Sequence, residues 1–241
     1  MLSTIPGSEY LQGAAIDFHY LLNRGYPRKT SLELIGNRYG LSFDQRHLLH
    51  RGIFSDSDAK ARKGKKVSLQ RLCNRKVAID GHNVLITVEA ALAGRPLVSS
   101  NDGFIRDISG LSGNFRKTNL TDEAIHLVLD VLRKARPLHS LFLFDAPISK
   151  SGLLAYEVRE QLRKEGLHGD ALAIKVPEKV LLEFSGIVAT SDTAIIDRSE
   201  AVFDLAGSII KNRIRAGSLV TLKVKFPSGC IPRRLRRKIG E

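Results

Sequence analysis

Three acidic residues each close a short apolar run: Val77-Ala-Ile-Asp80, Leu141-Phe-Leu-Phe-Asp145 and Ile187-Val-Ala-Thr-Ser-Asp192. Continuous apolar runs of this length suit strands buried on both faces of a parallel sheet. In such sheets function gathers at the carboxyl ends of the strands. If the three strands are neighbours, Asp80, Asp145 and Asp192 converge on one patch. Carboxylates that close raise each other's pKa unless a cation neutralises them. An oxygen-only donor set, with Cys73 and Cys230 far apart and no His-x3-His pair, suits Mg2+ or Mn2+ rather than Zn2+. Such an ion orients a phosphodiester, activates water and stabilises the leaving oxygen. Each acid taken alone has a plainer reading, as a turn residue or a helix N-cap. Three at the same topological position, with Asn83 and Thr190-Ser191 as polar neighbours, favour the metal site. His82 and His126 read as solvated or capping residues.

The elements that must hold these acids follow from periodicity and punctuation. Residues 14–54 read as three helices, broken at Gly25-Tyr-Pro27 and at Gly40, with Thr30-Ser31 and Ser42 as caps. Ser55–Lys66 is polar and charged throughout and reads as a linker or solvated arm. Beyond Lys76 the apolar runs alternate with helix candidates: Thr121 to about Arg136, Ser149–Glu165 and Glu200–Asn212. Ala171–Val176 reads as an extra strand and Leu219–Phe226 as a final one, at an edge where Lys223 and Lys225 discourage further pairing. Alternating strands and helices argue for an α/β fold with right-handed crossovers.

Ile79-Asp-Gly-His-Asn-Val-Leu85 resembles the opening strand of PIN-like nucleases, especially the NYN branch with its I/V-D-G-x-N-V/I signature. Leu143-Phe-Asp145 resembles a later strand of that fold, and Val188-Ala-Thr-Ser-Asp192 its T-S-D strand end. The resemblance covers roughly residues 76–200. It implies a metal-dependent ribonuclease or related nuclease with Asp80, Asp145 and Asp192 as candidate ligands to Mg2+ or Mn2+ and Asn83 positioning the first. It also implies a further acid on the helix before T-S-D, for which Glu178 is the candidate and Glu183, otherwise a helix-end residue, the fallback; another is expected soon after, for which Asp197 stands unless it caps a helix starting near Ser199. The order of a helical segment and then this domain also resembles an uncharacterised archaeal protein family. The expected architecture is α/β: a PIN-like (Rossmann-like) parallel-sheet domain over 67–226, a small all-helical domain with a charged linker over 1–66, and a basic tail over 227–241.

Charge supplies the partner. The 241 residues carry 38 Lys+Arg against 25 Asp+Glu, a net of +13, which favours a polyanion. Residues 1–75 hold +7 of this and residues 211–241 hold +9, around a −3 middle. No apolar stretch approaches the roughly 20 residues that span a bilayer, and the N-terminus lacks a signal-peptide pattern. A soluble, cytoplasmic protein with a nucleic-acid partner is expected, and the NYN-type resemblance implies RNA more than DNA. Arg233, Arg234, Arg236, Arg237 and Lys238 in the tail supply sequence-independent phosphate contacts. Leu32–Leu49 has the spacing of a helix-turn-helix, presenting Gln45, Arg46 and His50, although Arg46 stands where an apolar residue is expected; a plain helical bundle is the alternative. Asp102-Gly103 marks a turn, and the alternative makes Arg106 a phosphate contact supported by Asp102 or Asp107. No P-loop, dinucleotide fingerprint or nucleophile elbow is present. A metal-dependent nuclease therefore stands beside two alternatives, a non-catalytic nucleic-acid binder of the same fold and a DNA-binding regulator.

Overall fold

The computed structural model describes residues 8–108, 115–214, 219–222 and 224. Its first third is helical: α1 (Ser8–Asn23), α2 (Arg28–Arg38) and α3 (Phe43–Gly52). Gly25 and Gly40 stop the first two at positive φ, a conformation that costs glycine nothing. Ser42 and Gln45 form a reciprocal capping box at the start of α3. Leu11, Phe18, Ile35, Leu48 and Leu49 form the helices' shared core.

The polar stretch expected as a linker is a helix, α4 (Asp56–Lys65). The Ser55 hydroxyl accepts from the Asp58 N–H at 3.2 Å. Acids in the first turn and Arg62, Lys63 and Lys65 in the last complement the helix dipole. Its buried face holds Ala59 and the guanidinium of Arg62, so hydropathy gave no sign of it.

The chain continues as β1 (Lys76–Asp80), α5 (Gly81–Leu92), β2 (Leu97–Ser99), β3 (Ile105–Asp107), α6 (Asn119–Ala135), β4 (His139–Asp145), α7 (Ser151–Lys164), β5 (Gly169–Ile174), α8 (Pro177–Glu183), β6 (Ile187–Ala189), α9 (Thr193–Arg198), β7 (Val202–Phe203), α10 (Leu205–Asn212) and β8 (Leu219–Thr221). Five strands form a parallel sheet in the order β5-β4-β1-β6-β7. Val77, Ile79, Phe142, Phe144 and Ile187 face a core shared with α5, α6, α7 and α10. Ala78, Leu143 and Val188 face the other way, against Leu181 of α8 and Ile195 of α9. The sheet is thus covered on both sides, as its unbroken apolar strands require.

A second sheet, β3-β2-β8, packs against the N-terminal helices, where Val98 and Val220 join Leu48 and Leu49. Strands β2 and β3 were not foreseen; each is three residues long, too short for periodicity to register. The helix expected over Glu200–Asn212 is instead β7 followed by α10. Val202 and Phe203 bury beside β6, and the Asp204 carboxylate caps α10 by accepting from the Gly207 N–H at 2.9 Å. Of the final strand, Leu219–Thr221 pairs with β2, while Lys223, Lys225 and Phe226 lie outside the described residues.

Candidate functional site

The central strands β4, β1 and β6 are neighbours, and each carries an acid at or just past its carboxyl end. Asp80 stands level with Leu143, so Asp145 lies two residues further along β4. Ile79 pairs with Ala189, which sets Thr190 beside Asp80 and Asp192 two residues beyond. The Thr190 hydroxyl donates to Asp80 Oδ2 at 2.8 Å. Burial pushes the Asp80 carboxyl up to about 7, and the charges of Asp192 and Asp145 add to that rise. The Thr190 hydroxyl and the nearby Asn83 backbone N–H oppose it without cancelling it.

The three acids are held differently. Asp192 is the N-cap of α9, its Oδ1 accepting from the N–H groups of Ala194 and Ile195 at 2.8 and 3.2 Å. Asp80 precedes α5 but closes no side-chain cap hydrogen bond there. Asp145 meets His82, whose Nδ1 accepts from the Asp145 backbone N–H at 3.1 Å and lies 3.3 Å from Oδ2. His82 is buried, not solvated as expected, with its ring edge-on to Phe115 and Phe144. Burial lowers its pKa against the pull of Asp145. Between Asp80 and His82 a Cβ on Gly81 would run into the Phe144 ring, so the Asp-Gly pair is a packing requirement. Asn83 Oδ1 accepts from the Ser191 N–H and hydroxyl at 2.9 and 3.0 Å. Its side chain thus fixes the end of β6, while its backbone N–H faces Asp80.

The remaining candidates do not join this patch. Glu178 is exposed on the first turn of α8, and Glu183 is exposed at its end. Asp197 gives both oxygens to Arg62, at 2.6 and 2.7 Å, and is not available as a ligand. Arg46 folds back over Gly36 and donates to the Leu41 carbonyl and to Asn37, each at 3.0 Å. Arg106 is buried and bound to Asp102 through both terminal nitrogens and to the Ser191 carbonyl. His126 is exposed and lies 4.0 Å from Glu165. Arg233, Arg234, Arg236, Arg237 and Lys238 lie outside the described residues. Among the described residues, no three His, Cys, Asp or Glu side chains are gathered closely enough to hold a metal ion as they stand. No helix among them is long and apolar enough to cross a membrane.

Residues 69–208, more than half of the chain and all of the acid patch, match the family described as Domain of unknown function (DUF5616). The chain belongs to the DUF5616 family. Residues 10–65 match a second family, described as Protein of unknown function (DUF434). An uncharacterized protein of Methanocaldococcus jannaschii is 33% identical over 203 residues, which cover 83% of this chain and 97% of that protein. No solved structure matches.

A buried ion network joins the DUF434-matched helices to the DUF5616-matched sheet. Asp102, fully buried, binds Arg106 at 2.8 and 2.9 Å and lies 3.4 Å from Arg62, which also holds Asp197. Burial alone would raise Asp102; the Arg106 guanidinium, with hydrogen bonds from Phe104 and Ser100, holds it below the usual carboxylate range instead. Asn101 exchanges two hydrogen bonds with the Phe54 backbone, 2.8 and 2.9 Å long. The Asn101–Asp107 segment is therefore a structural tie in this family member, which a turn signal alone did not reveal.

Proposed function

We propose that this protein is a divalent-metal-dependent nuclease of PIN-like fold that hydrolyses RNA. One observation carries the reading: Asp80, Asp145 and Asp192 stand at the carboxyl ends of three adjacent parallel strands, where α/β sheets build their sites. The donor chemistry fits Mg2+ or Mn2+, since all three side chains offer hard oxygens and Asp80 ionises against two like charges. Mg2+ keeps several waters and is commonly held by one or two carboxylates plus substrate phosphates. Asp80 would hold the ion with Asp145 or Asp192 beside it; Glu178 and Asp197 are not in the set. When bound, the ion lowers the pKa of its water and polarises the phosphodiester.

The chain's own groups do the positioning. Thr190 fixes one oxygen of Asp80, His82 anchors the end of β4, and Asn83 anchors Ser191 next to Asp192. The free oxygen of Asp192 remains for the site once Oδ1 has capped α9. RNA rather than DNA follows from the NYN-type resemblance, and the basic tail supplies phosphate affinity. A helix-turn-helix role for α2 and α3 is disfavoured, because Arg46 is folded onto α2 and Gln45 is spent in the capping box.

The test is cleavage of mixed RNA and DNA substrates with Mg2+ or Mn2+. RNA cutting by the wild type, lost in Asp80→Asn and Asp192→Asn, is the expected result. Cutting that survives both substitutions overturns the site. Binding without cutting by the wild type marks the fold as a non-catalytic nucleic-acid binder.

A further inference from the structure

A pocket of about 410 Å3 lies between the helical segment and the end of β6, and the acid patch alone does not account for it. Its volume falls within the roughly 300–1,000 Å3 typical of small-ligand sites. Arg28, Arg51, Arg62 and Arg106 line it from the helical side and β3, and Ser191 and Asp192 from the strand end. Three of these guanidiniums converge on the Phe54 ring, with Arg28, Arg62 and Arg106 at 4.5, 4.3 and 5.1 Å from its centroid. Phe54 is itself buried.

The four cations are not equally compensated. Arg62 has Asp197 and Arg106 has Asp102. Arg28 donates only to the backbone carbonyls of Ile53 and His50, which satisfy its N–H groups without neutralising its charge. Arg51 has no ion-pair partner among the described residues. Burial, then the like charges of Arg62 and Arg106, lower Arg28 to about 10, so it remains charged at neutral pH while pressed against other cations. Arg28 thus faces the cavity with its charge only partly offset at a distance, by Asp58 on the same wall and by Asp102, and Arg51 faces it with no ion-pair partner among the described residues. Asp192 on the opposite wall belongs to the acid patch, so an anion seated here lies directly beside the proposed reaction site. The exposed ring of Tyr26 stands at the rim, a surface on which a base can stack.

We propose that this pocket binds the phosphate of the nucleotide next to the scissile bond, with Arg28 and Arg51 as its contacts and Tyr26 under its base. The substrate role rests on the nuclease reading; the nucleotide site itself does not. Planar guanidiniums suit a phosphate because two parallel N–H groups meet two oxygens. Arg62 and Arg106, tied to their own carboxylates, complete the cationic wall, and the Ile53 and His50 carbonyls hold Arg28 in place.

The test is calorimetric titration of the full chain, without divalent ions, using adenosine 5′-monophosphate, adenosine and inorganic phosphate, with RNA cleavage measured in parallel. The monophosphate should bind more tightly than inorganic phosphate, and adenosine more weakly than either. Arg51→Ala should weaken the monophosphate by about tenfold, the scale of one hydrogen bond to a charged group. Because Arg51 carries no ion pair among the described residues, that variant should keep the wild-type melting temperature. Arg28→Lys, which keeps the charge and loses the fork, should weaken it less than Arg51→Ala does. No binding of the monophosphate, or binding that both variants leave unchanged, overturns the pocket even if the wild type cuts RNA. Binding as expected without any RNA cutting sustains the nucleotide site and removes the nuclease reading instead.

Discussion

Asp80, Asp145 and Asp192 occupy equivalent places in the topology and yet do different work. Asp192 fulfils the plain expectation of an N-cap and still has one oxygen to spare. Asp80 makes no such cap bond and carries the strain of the patch, its carboxyl pushed up to about 7 by burial and its two neighbours. Between the ordinary carboxylate value near 4 and about 7, the folded protein holds a proton that the unfolded chain releases, so this group's contribution to stability falls as pH rises through that window. In metal-free protein the wild-type melting temperature should therefore decline from pH 5 to pH 8 more steeply than that of Asp80→Asn. At pH 8 the variant should melt higher, by roughly 2–4 °C for each ~1 kcal/mol of relieved strain. Scanning calorimetry in chelator reads this, and an equal slope in both proteins would show that Asp80 is not strained. His82 shows where residue-level reading stops. Its partner Asp145 lies 63 positions away on a neighbouring strand, so nothing local distinguishes it from a solvated histidine. Asp197 misled for the same reason, since Arg62, which consumes both its oxygens, is 135 positions distant.

At the scale of elements, legibility followed length and what was buried. Strands β1, β4 and β6 announced themselves as apolar runs ending in acids, helices α1 and α2 by their glycine stops and α3 by its Ser42 cap; the cap expected at Thr30-Ser31 falls inside α2, which begins after Pro27 with no side-chain cap. The three-residue strands β2 and β3 and the two-residue β7 are too short to show a period. Helix α4 escaped because its anchor is a buried arginine, and a composition-based reading equates arginine with solvent. That anchor makes α4 sensitive to one residue of another element. Asp102→Ala would leave Arg106 and Arg62 buried beside a missing carboxylate, and removing one partner of a buried pair costs about 3–5 kcal/mol. Urea unfolding should show a loss of that size. A loss under about 1 kcal/mol would mean that the network does not hold the helices to the sheet.

For the whole molecule, the net charge of +13 is informative mainly through its distribution. The acidic middle includes the strand-end patch, and the basic N-terminal segment contributes Arg28, Arg51 and Arg62, three of the four guanidiniums that line the pocket beside it. A boundary near residue 66 describes the family matches, but packing runs across it. Leu48, Leu49 and Ile53 share one cluster with Val98, Ile108 and Val220. The basic tail belongs to the nucleic-acid proposal. Removing residues 227–241 takes away Arg233, Arg234, Arg236, Arg237 and Lys238, and with about −0.7 per neutralised phosphate it should flatten the salt dependence of single-strand RNA binding by roughly 3.5. An unchanged slope would show that the tail does not contact phosphate. The central claim meets its most direct test in the single-turnover rate of RNA cleavage by Asp192→Asn in Mg2+. Asparagine can still cap α9, so the fold is preserved while the charge is removed. The account predicts a fall of at least about a hundredfold, on the scale of losing one electrostatic group at a reacting centre, with an unchanged melting temperature. A variant that cuts RNA at the wild-type rate would contradict it.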